Sequence, residues 1–265
     1  MTPDELLSAF HAQVRQAQRE DELRPGWVTD TDGPVRRSYP EVPGGGHALV
    51  ECPDGLGDDP DRWIERQRAF FTGRGQEVEW KTYSYDQPED LRDRLSAKGF
   101  RDEPDEALML GEVARLTTGA SVPPGVVVRE AGVDGADVAR IGALHALVWG
   151  RDAGAYAQQL AQEKRAAPET LDLLAAEEAS DGPVLCAAWA RYTLGTDFCS
   201  MWGGTTHPDW RRRGLYRALL AHRAVLAAAR GFSLVRIDAS PDSEPILTRL
   251  GLVRAATTTP FVLCP

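Results

Sequence analysis

Four arginines lie close together at the start of a predicted helix in the C-terminal half of the chain. Arg211, Arg212 and Arg213 precede Gly214, and Arg217 follows. The first backbone N–H groups of a helix have no partner within the helix, and the helix dipole favours negative charge there. Gly214 removes the side chain where a phosphate must approach the backbone closely. The pattern predicts an anion site that suits a pyrophosphate; the alternative is a helix start with a few surface arginines.

The composition narrows the class of ligand. The 265 residues carry a net charge of −10 at pH 7, with 42% apolar and 26% charged residues, which is ordinary for a globular protein of one large or two small domains. A nucleic-acid-binding protein needs a basic face to neutralise phosphates, so the acidity argues against nucleic acid as a partner. The acidity favours a cationic or amine substrate, or it serves solubility alone.

Two elements must position the arginines. A strand is predicted over Phe198–Thr206, and a turn through His207 leads into a long helix over Gly214–Ala229. The helix carries one stripe of residues that faces a core, namely Leu215, Ala218, Leu219, His222 and Leu226. The arginines therefore lie where a strand ends and a helix begins.

The rest of the C-terminal half also alternates between strand and helix patterns. Before the arginines come a strand at Val126–Glu130, helices at Val133–Val148 and Ala153–Arg165, and strands at Leu171–Ala176 and Val184–Tyr192. After the long helix come a strand at Leu234–Ala239, a short helix at Glu244–Leu250 and a final strand at Arg254–Leu263. This order predicts an α/β (α+β) fold with a mixed, mostly antiparallel sheet flanked by helices.

The N-terminal half predicts a second domain. Its candidate elements are a helix within residues 3–20, strands at Pro34–Tyr39 and His47–Cys52, a helix at Asp61–Thr72, a strand at Val78–Tyr85 with the alternation of a half-buried edge, a short helix beginning at Pro88 and a strand at Ala107–Val113. Thr117–Gly125 has the composition of a linker. We therefore expect domains at residues 1–116 and 126–265, with residues 117–125 between them.

A faint internal repeat connects the two halves. Arg68–Phe100 and Arg223–Leu252 both read as a helix, an Arg-Gly turn, a strand, a turn rich in Asp, Pro and Ser, and a short helix with Arg-Leu. The repeat favours an N-terminal region that is a degenerate copy of the C-terminal fold, although two αβα units could match by chance.

The segment Arg211–Tyr216 resembles the acetyl-CoA loop of the GNAT (general N-acetyltransferase) superfamily, which reads Arg/Gln-x-x-Gly-x-Gly/Ala between a strand and a long helix. The resemblance continues through Arg230–Gly251, with Leu252 in place of the family's phenylalanine, and covers residues 126–265. It implies a GNAT-like fold, with a second, degenerate GNAT-like domain at the N-terminus. It also implies an acetyl-CoA-dependent N-acetyltransferase that acts on a primary amine of a small molecule or peptide.

The resemblance assigns cofactor roles to particular residues. It implies that backbone groups at the strand end pair with the pantetheine arm of acetyl-CoA, at Gly204, Thr205 and Thr206. It implies that the loop and the first helical turn hold the pyrophosphate, through Arg211, Arg212, Arg213, Gly214, Leu215, Tyr216 and Arg217. Ser240 and Ser243 correspond to polar residues near the thiol, and the helix–loop after Trp149 corresponds to a wall of the acceptor site.

Two departures from the family pattern bear on catalysis. Tyr216 replaces the second small residue of the loop, and Leu247 stands where many members carry a tyrosine that protonates the leaving thiolate. The strand Phe198–Thr206 also lacks the glutamate that members often place there, and Ser200 lies near that position. The usual proton carriers are therefore absent from their usual places.

Other residues could carry the proton instead. Histidine titrates in the right range, so His207 is the first candidate, and Tyr192, Asp238 and Asp197 follow it. Each also has a structural interpretation, as a loop histidine, a strand tyrosine, a strand-end aspartate and a turn aspartate. The alternative function is therefore a catalytically weak acyl-CoA-binding or regulatory protein.

The remaining expectations concern metals, thiols and location. The histidines and cysteines show no metal-ligand spacing, so no metal site is expected, and Cys186 and Cys199 are expected as buried thiols within strands. Trp63, Trp80 and Trp189 are expected in the core. Without a signal-like N-terminus or a long apolar run, we expect a soluble, cytoplasmic monomer or homodimer with no membrane partner.

Overall fold

The computed structural model describes residues 1–17, 26–44, 46–118, 121–150, 153–178 and 182–265, without the side chains of 153–155. The chain divides into two compact units. The first unit comprises Met1–Met109, Asp238–Thr248 and Val253–Pro265, and the second comprises Leu110–Ile237 and Arg249–Leu252. Most of the predicted linker therefore lies in the second unit, and its residues 119 and 120 lie outside the described residues. The roles predicted for residues 1–116 and 126–265 stay predictions.

The first unit is built on a mixed sheet. Its elements are α1 (Pro3–Phe10), a π-helix (His11–Gln16), β1 (Trp27–Asp32), β2 (Val35–Pro40), β3 (Ala48–Glu51), α2 (Pro60–Arg74), β4 (Val78–Tyr83), α3 (Leu91–Ala97), β5 (Arg101–Asp102), the start of β6 (Glu106–Glu112), most of α7 (Glu244–Arg249) and β12 (Val253–Leu263). The strand order is β1-β2-β3-β4-β12, in which only β3 and β4 run parallel.

Several predictions for this region were wrong in detail. The first helix ends as a π-helix at Gln16, and its predicted residues 18–20 lie outside the described residues. The strand β1 was missed because its polar alternation, Trp-Val-Thr-Asp-Thr-Asp, lacks an apolar face. The helix α3 begins at Leu91 rather than at Pro88, since a turn closed by Leu91 N–H and the Pro88 carbonyl precedes it. β4 is an interior strand between β3 and β12, and not an edge.

The second unit repeats the mixed sheet with helices on both faces. Its elements are the end of β6, a 3-10 turn (Val113–Leu116), β7 (Val126–Glu130), α4 (Gly135–Trp149), α5 (Ala153–Ala166), β8 (Leu171–Glu178), β9 (Val184–Tyr192), β10 (Phe198–Thr206), a 3-10 turn (Pro208–Trp210), α6 (Leu215–Ala229) and most of β11 (Leu234–Ala239). The strand order is β7-β8-β9-β10-β11, and only β10 and β11 run parallel. The predicted mixed, mostly antiparallel sheet flanked by helices is confirmed.

Residues of β9 pack alternately against helices on the two faces of this sheet. Ala187 and Trp189 pack with residues of α4 and α5, whereas Cys186 and Ala188 pack with Leu219 of α6. Successive strand residues point to opposite faces, so a strand buried on both faces reads as a continuous apolar run. The burial expected for Cys186 and Cys199 is confirmed. None of the helices in the described ranges is long and apolar enough to cross a bilayer.

An ion-pair network fastens the edge strand β7 to the rest of the second unit. The guanidinium of Arg129 makes two 2.7 Å hydrogen bonds to Asp137 of α4 and one to Glu177 of β8, and Arg140 bonds both carboxylates. The Gly132 N–H also donates to Asp137. These contacts, the Arg129 hydrogen bonds first, lower the pKa of Asp137 to about 2.

We predict that Asp137→Asn destabilises the protein by about 2 kcal/mol at pH 7, because it breaks a charge-assisted pair. The pKa of Asp137 is lowered from 3.8 to about 2 by folding, so its stabilisation is fully present above pH 4 and is lost as pH falls toward 2. Urea unfolding should therefore show a deficit at pH 7 that disappears near pH 2. The exposed Asp58→Asn is the control, and an equal deficit at both pH values would contradict the prediction.

Candidate active site

The end of β10 departs from regular strand geometry. Gly203 pairs with Ala188 and Thr205 with Ala187, so Gly204 is an extra residue in a β-bulge. Gly203 and Gly204 have φ values of 74° and 80°, which a side chain would strain. A Cβ at Gly203 would lie 2.4 Å from the Trp189 ring, and one at Gly204 would lie 2.7 Å from the Tyr216 ring. Conformation and packing therefore both require glycine at these positions.

β10 and β11 part before the bulge. They pair only where Phe198–Ser200 faces Leu234–Arg236. In the described residues, the ladder between β10 and β11 does not continue past Ser200. An extended ligand can pair with a strand where the neighbouring strand turns away, and this is the position that the sequence predicted for a pantetheine arm.

A glycine-capped helix follows the bulge. Gly214 is the N-cap of α6 with φ 88°, and Arg212 in the preceding loop also has a positive φ of 65°. The helical hydrogen bonds begin with Ala218 N–H donating to the Gly214 carbonyl, so the amides of Leu215 and Tyr216 precede them. A turned backbone followed by a helix N-terminus is an arrangement that favours an anion.

The arginines of the loop stay in contact with water. Arg211, Arg212, Arg213 and Arg217 are exposed, and the guanidinium of Arg213 stacks over the Trp210 ring at 4.7 Å. His207 holds the loop: its N–H donates to the Leu185 carbonyl, and its Nδ1 accepts from Asp209 N–H at 3.3 Å. The predicted cofactor residues thus lie at the end of β10 and in the loop and first turn of α6 that follow it, and among them Thr205 and Leu215 are buried.

These residues fit a coenzyme A group. A Cβ at Gly214 would have only the Ser121 carbonyl oxygen nearby, at 3.8 Å, so the need for glycine is conformational and the space outside it is open. The amides, the helix dipole and the exposed arginines supply the positive potential that a diphosphate requires, and the end of β10 lies beyond its ladder with β11, where an extended arm has room to pair with a strand.

Tyr216 does not project into the anion site. Its ring lies against Gly204 of the bulge, and burial raises the pKa of its hydroxyl. The tyrosine therefore replaces the family's small residue by packing onto a glycine of the bulge.

The other predicted catalytic residues are engaged elsewhere. The hydroxyl of Tyr192 donates to Asp172 at 2.7 Å, under Arg230, and Tyr192 pairs with Cys199 at the far end of β10 from the bulge. Burial and the Asp172 carboxylate raise the pKa of this hydroxyl further above its usual value. The structure does not bring Tyr192 together with the loop.

Three predicted residues belong to the first unit. Asp238 accepts a 2.6 Å hydrogen bond from Lys81, and its side chain is almost completely buried. The hydroxyls of Ser240 and Ser243 lie 3.2 Å apart in the turn that begins α7. Leu247 is fully buried, so the position of the family's tyrosine is filled by core packing.

Sequence reasoning missed an aromatic cluster on the α4–α5 face of the sheet. The ring centroids of His145, Tyr156 and Trp189 lie 5.4–6.3 Å apart, and Trp189 also covers Gly203 of the bulge. Trp149 is 63% exposed and donates its indole N–H to Thr205 at 3.1 Å. We name this set, His145, Trp149, Tyr156 and Trp189, the aromatic wall.

Two buried nitrogens of the aromatic wall lack a partner. The Nε2 of His145 and the Nε1 of Trp189 have no hydrogen bond within the described residues. Buried polar atoms are satisfied in most proteins, so each such atom needs an explanation. Burial lowers the pKa of His145, which keeps the ring neutral at pH 7. The only signal for it in the sequence was its helical spacing from Trp149, by i and i+4.

The first unit contains a similar arrangement of two parallel strands joined by a helix. β3 and β4 pair in parallel over Ala48–Val50 and are joined by α2, as β10 and β11 are joined by α6. At the end of β4, Arg15 of the π-helix donates a 2.7 Å hydrogen bond to Asp86 and stacks over the Tyr83 ring at 3.9 Å. The segment before α2 carries carboxylates in place of arginines, at Asp54, Asp58 and Asp59. These features fit a degenerate copy, which stays a prediction, and they disfavour a phosphate.

Comparison with known proteins supports the fold. No protein-family model and no curated protein matches the chain. Among solved structures, a GCN5-related N-acetyltransferase from Kribbella flavida has a TM-score of 0.67 at 17% identity, covering 97% of this chain and 94% of its own. One from Sphaerobacter thermophilus has a TM-score of 0.66 at 17% identity, covering 99% and 93%.

A tandem GNAT protein from the clavulanic acid biosynthesis pathway has a TM-score of 0.63 at 14% identity, covering 98% of this chain and 95% of its own. At such low identities the similarity concerns the fold alone. The chain has the fold of the GNAT superfamily, as its sequence predicted.

Within the described residues, no three His, Cys, Asp or Glu side chains form a group that could hold a metal ion.

We predict that Gly214→Val lowers the affinity for coenzyme A at least about tenfold, because a β-branched residue at φ 88° must turn the amides of the loop. Gly231→Val is a matched control, because Gly231 has a φ of 89°, has open space where a Cβ would lie and is at the opposite end of the same helix. Isothermal titration with coenzyme A should show weaker binding in Gly214→Val and not in Gly231→Val. The two variants should lose comparable thermal stability. Equal affinities in both variants would place the diphosphate elsewhere.

Proposed function

We propose that this protein is an acyl-CoA-dependent N-acyltransferase, with acetyl-CoA as donor and a primary amine of a small molecule or peptide as acceptor. The observation that carries the proposal is the bulge at Gly203 and Gly204, which is followed along the chain by the glycine-capped helix at Gly214. The strand end suits an extended amide-bearing arm, and the helix start suits a diphosphate. Few ligands other than coenzyme A combine the two.

The donor would supply an activated acyl group as a thioester. The chain would hold its diphosphate with the amides of Leu215 and Tyr216 and with the exposed arginines. The bulge would orient strand N–H groups toward the thioester carbonyl, where negative charge develops as the amine attacks. Its two glycines place these groups without side chains in the way.

The aromatic wall would receive the amine on the α4–α5 face. Aromatic faces attract ammonium and alkylamine groups, and the net charge of −10 favours the approach of a cation. Trp149 is exposed, and its indole N–H bond to Thr205 fixes the ring beside the bulge. The acceptor is therefore expected to be an amine on an apolar or aromatic body.

His145 is our candidate for the base. Attack requires a neutral amine, so one ammonium proton must be removed before or during the reaction. His145 has a lowered pKa and a ring nitrogen without a partner, whereas Nδ1 of His207 already accepts the Asp209 N–H. The proton would pass to His145, or to water held against it.

We predict that His145→Gln lowers kcat/KM at least about tenfold, a typical minimum for the loss of a general base. In the parent protein the rate should rise with pH through a pKa below 6.5, since the ring must be neutral. This limb should vanish in the variant. Release of coenzyme A thiol from acetyl-CoA, with a panel of alkyl, aryl and peptide amines, measures both. His222→Gln is the control.

A pH profile that is unchanged in His145→Gln would remove this residue from the mechanism.

The alternative function is an acyl-CoA-binding protein with weak or no catalysis. It is favoured by the engagement of Tyr192 with Asp172 and of Asp238 with Lys81. Tight binding of acetyl-CoA without thiol release from any amine in the panel would establish that alternative.

A further inference from the structure

A charged side chain lies completely inside the second unit, under the bulge. Arg223 is in the middle of α6 and is 2% exposed. Its Nε donates to the Leu219 carbonyl, and its Nη1 donates to the carbonyls of Trp189 at 3.1 Å and Trp202 at 2.9 Å. Trp202 directly precedes the bulge. The guanidinium therefore joins α6 to two neighbouring strands at the point where β10 changes course.

No carboxylate balances this charge. Within the described ranges, Arg223 has no acidic side chain within ion-pair distance. The titratable groups that face it are Tyr216 of α6, Cys186 and Tyr192 of β9, and Cys199 of β10. Burial raises the pKa of Cys186 to about 11 and that of Cys199 to about 12, so both are neutral at pH 7. The positive charge is therefore uncompensated.

The buried arginine of the first unit provides a contrast. Arg15 is 1% exposed, but it is bonded to Asp86 at 2.7 Å and to Glu51. A buried ion pair offsets part of the loss of hydration through mutual attraction, whereas a lone buried charge does not. Arg223 should therefore destabilise the second unit relative to an apolar residue of similar size, and its presence calls for another role.

The position of Arg223 in the fold indicates what its role is. The guanidinium lies beside the splayed end of β10, and arginine stays protonated at all ordinary pH values. A fixed positive charge in a medium of low polarity acts more strongly on a nearby group than it would in water. Any group that becomes an anion beside the bulge would be stabilised by it. In an acyl transfer from coenzyme A, that group is the sulfur.

We propose that Arg223 is a positioning residue whose uncompensated charge stabilises the thiolate of coenzyme A beside the bulge, at a cost in stability of the fold. This inference rests on the proposed function. The amine nitrogen forms a bond to the acyl carbon, the carbon–sulfur bond breaks, and sulfur leaves with the electron pair. One ammonium proton passes to the base before the attack, and a second leaves the nitrogen as the amide forms; both reach solvent, and the third stays on the amide nitrogen. The thiolate leaves without a proton donor at the sulfur, which suits a chain with Leu247 in place of the family's tyrosine.

Arg223→Met and Arg223→Lys test the proposal by three measurements. Arg223→Met should keep or raise the thermal midpoint, because it removes an unpaired buried charge. The pKa of the bound coenzyme A thiol, followed by the ultraviolet absorbance of the thiolate, should rise by about one unit, so that about tenfold less thiolate is present at a given pH. Arg223→Lys keeps the charge and should keep most of the thiolate.

Desulfo-coenzyme A isolates the sulfur from the rest of the ligand. Above the thiol pKa, the parent protein should bind coenzyme A more tightly than desulfo-coenzyme A, and Arg223→Met should lose this preference while it binds desulfo-coenzyme A unchanged. Arg15→Met is the matched control: it strands Asp86 in the interior, so it should lower the thermal midpoint and leave the thiol pKa unchanged.

Two outcomes would overturn the proposal. A lower thermal midpoint in Arg223→Met with an unchanged thiol pKa would make Arg223 a structural residue. Equal loss of affinity for coenzyme A and desulfo-coenzyme A would show that it shapes the site without acting on sulfur. If the parent protein binds neither coenzyme A nor desulfo-coenzyme A, the proposed function itself is wrong. This result is distinct from the two outcomes above, which are both read from the variants.

Discussion

The second unit depends on one constraint, the two glycines that turn the end of β10. Gly203 and Gly204 occupy backbone conformations that other residues avoid, and each lies under an aromatic ring. The resulting bulge shifts the register between β10 and β9, beyond the point at which the ladder between β10 and β11 ends. It also fixes where Trp189 and Tyr216 lie, on opposite faces of the sheet. The proposed donor and acceptor surfaces therefore both adjoin these two residues.

Burial of charge distinguishes the two units. Both join two parallel strands through a helix, and both bury an arginine completely. In the first unit Arg15 is neutralised by Asp86 and the segment before α2 is acidic. In the second unit Arg223 is left uncompensated and the loop before α6 is basic. The same backbone arrangement can therefore repel or attract an anion, depending on a few side chains.

The fold was largely readable from the sequence because its signals are local. β9, β10 and β11 have the predicted bounds, and α6 begins one residue later, because their apolar runs, glycines and helical stripes are strong. The errors fall where local signals mislead: the polar strand β1 has no apolar face, and β4 becomes an interior strand only by pairing with β12, which is distant in the sequence.

The sequence by itself determined the candidate anion site, since its arginines, glycine and helix start are neighbours along the chain. Only the tertiary structure decided the rest. It placed Tyr192 at the far end of β10, engaged Asp238 with Lys81, and assembled the aromatic wall from α4, α5 and β9. It also showed that the buried face of α6 includes Arg223, rather than the His222 of the predicted stripe, and that in the described residues the hydrogen bonds of Arg223 go to backbone carbonyls. Proton carriers and buried charges depend on contacts between distant segments, and neither spacing nor composition specifies those contacts.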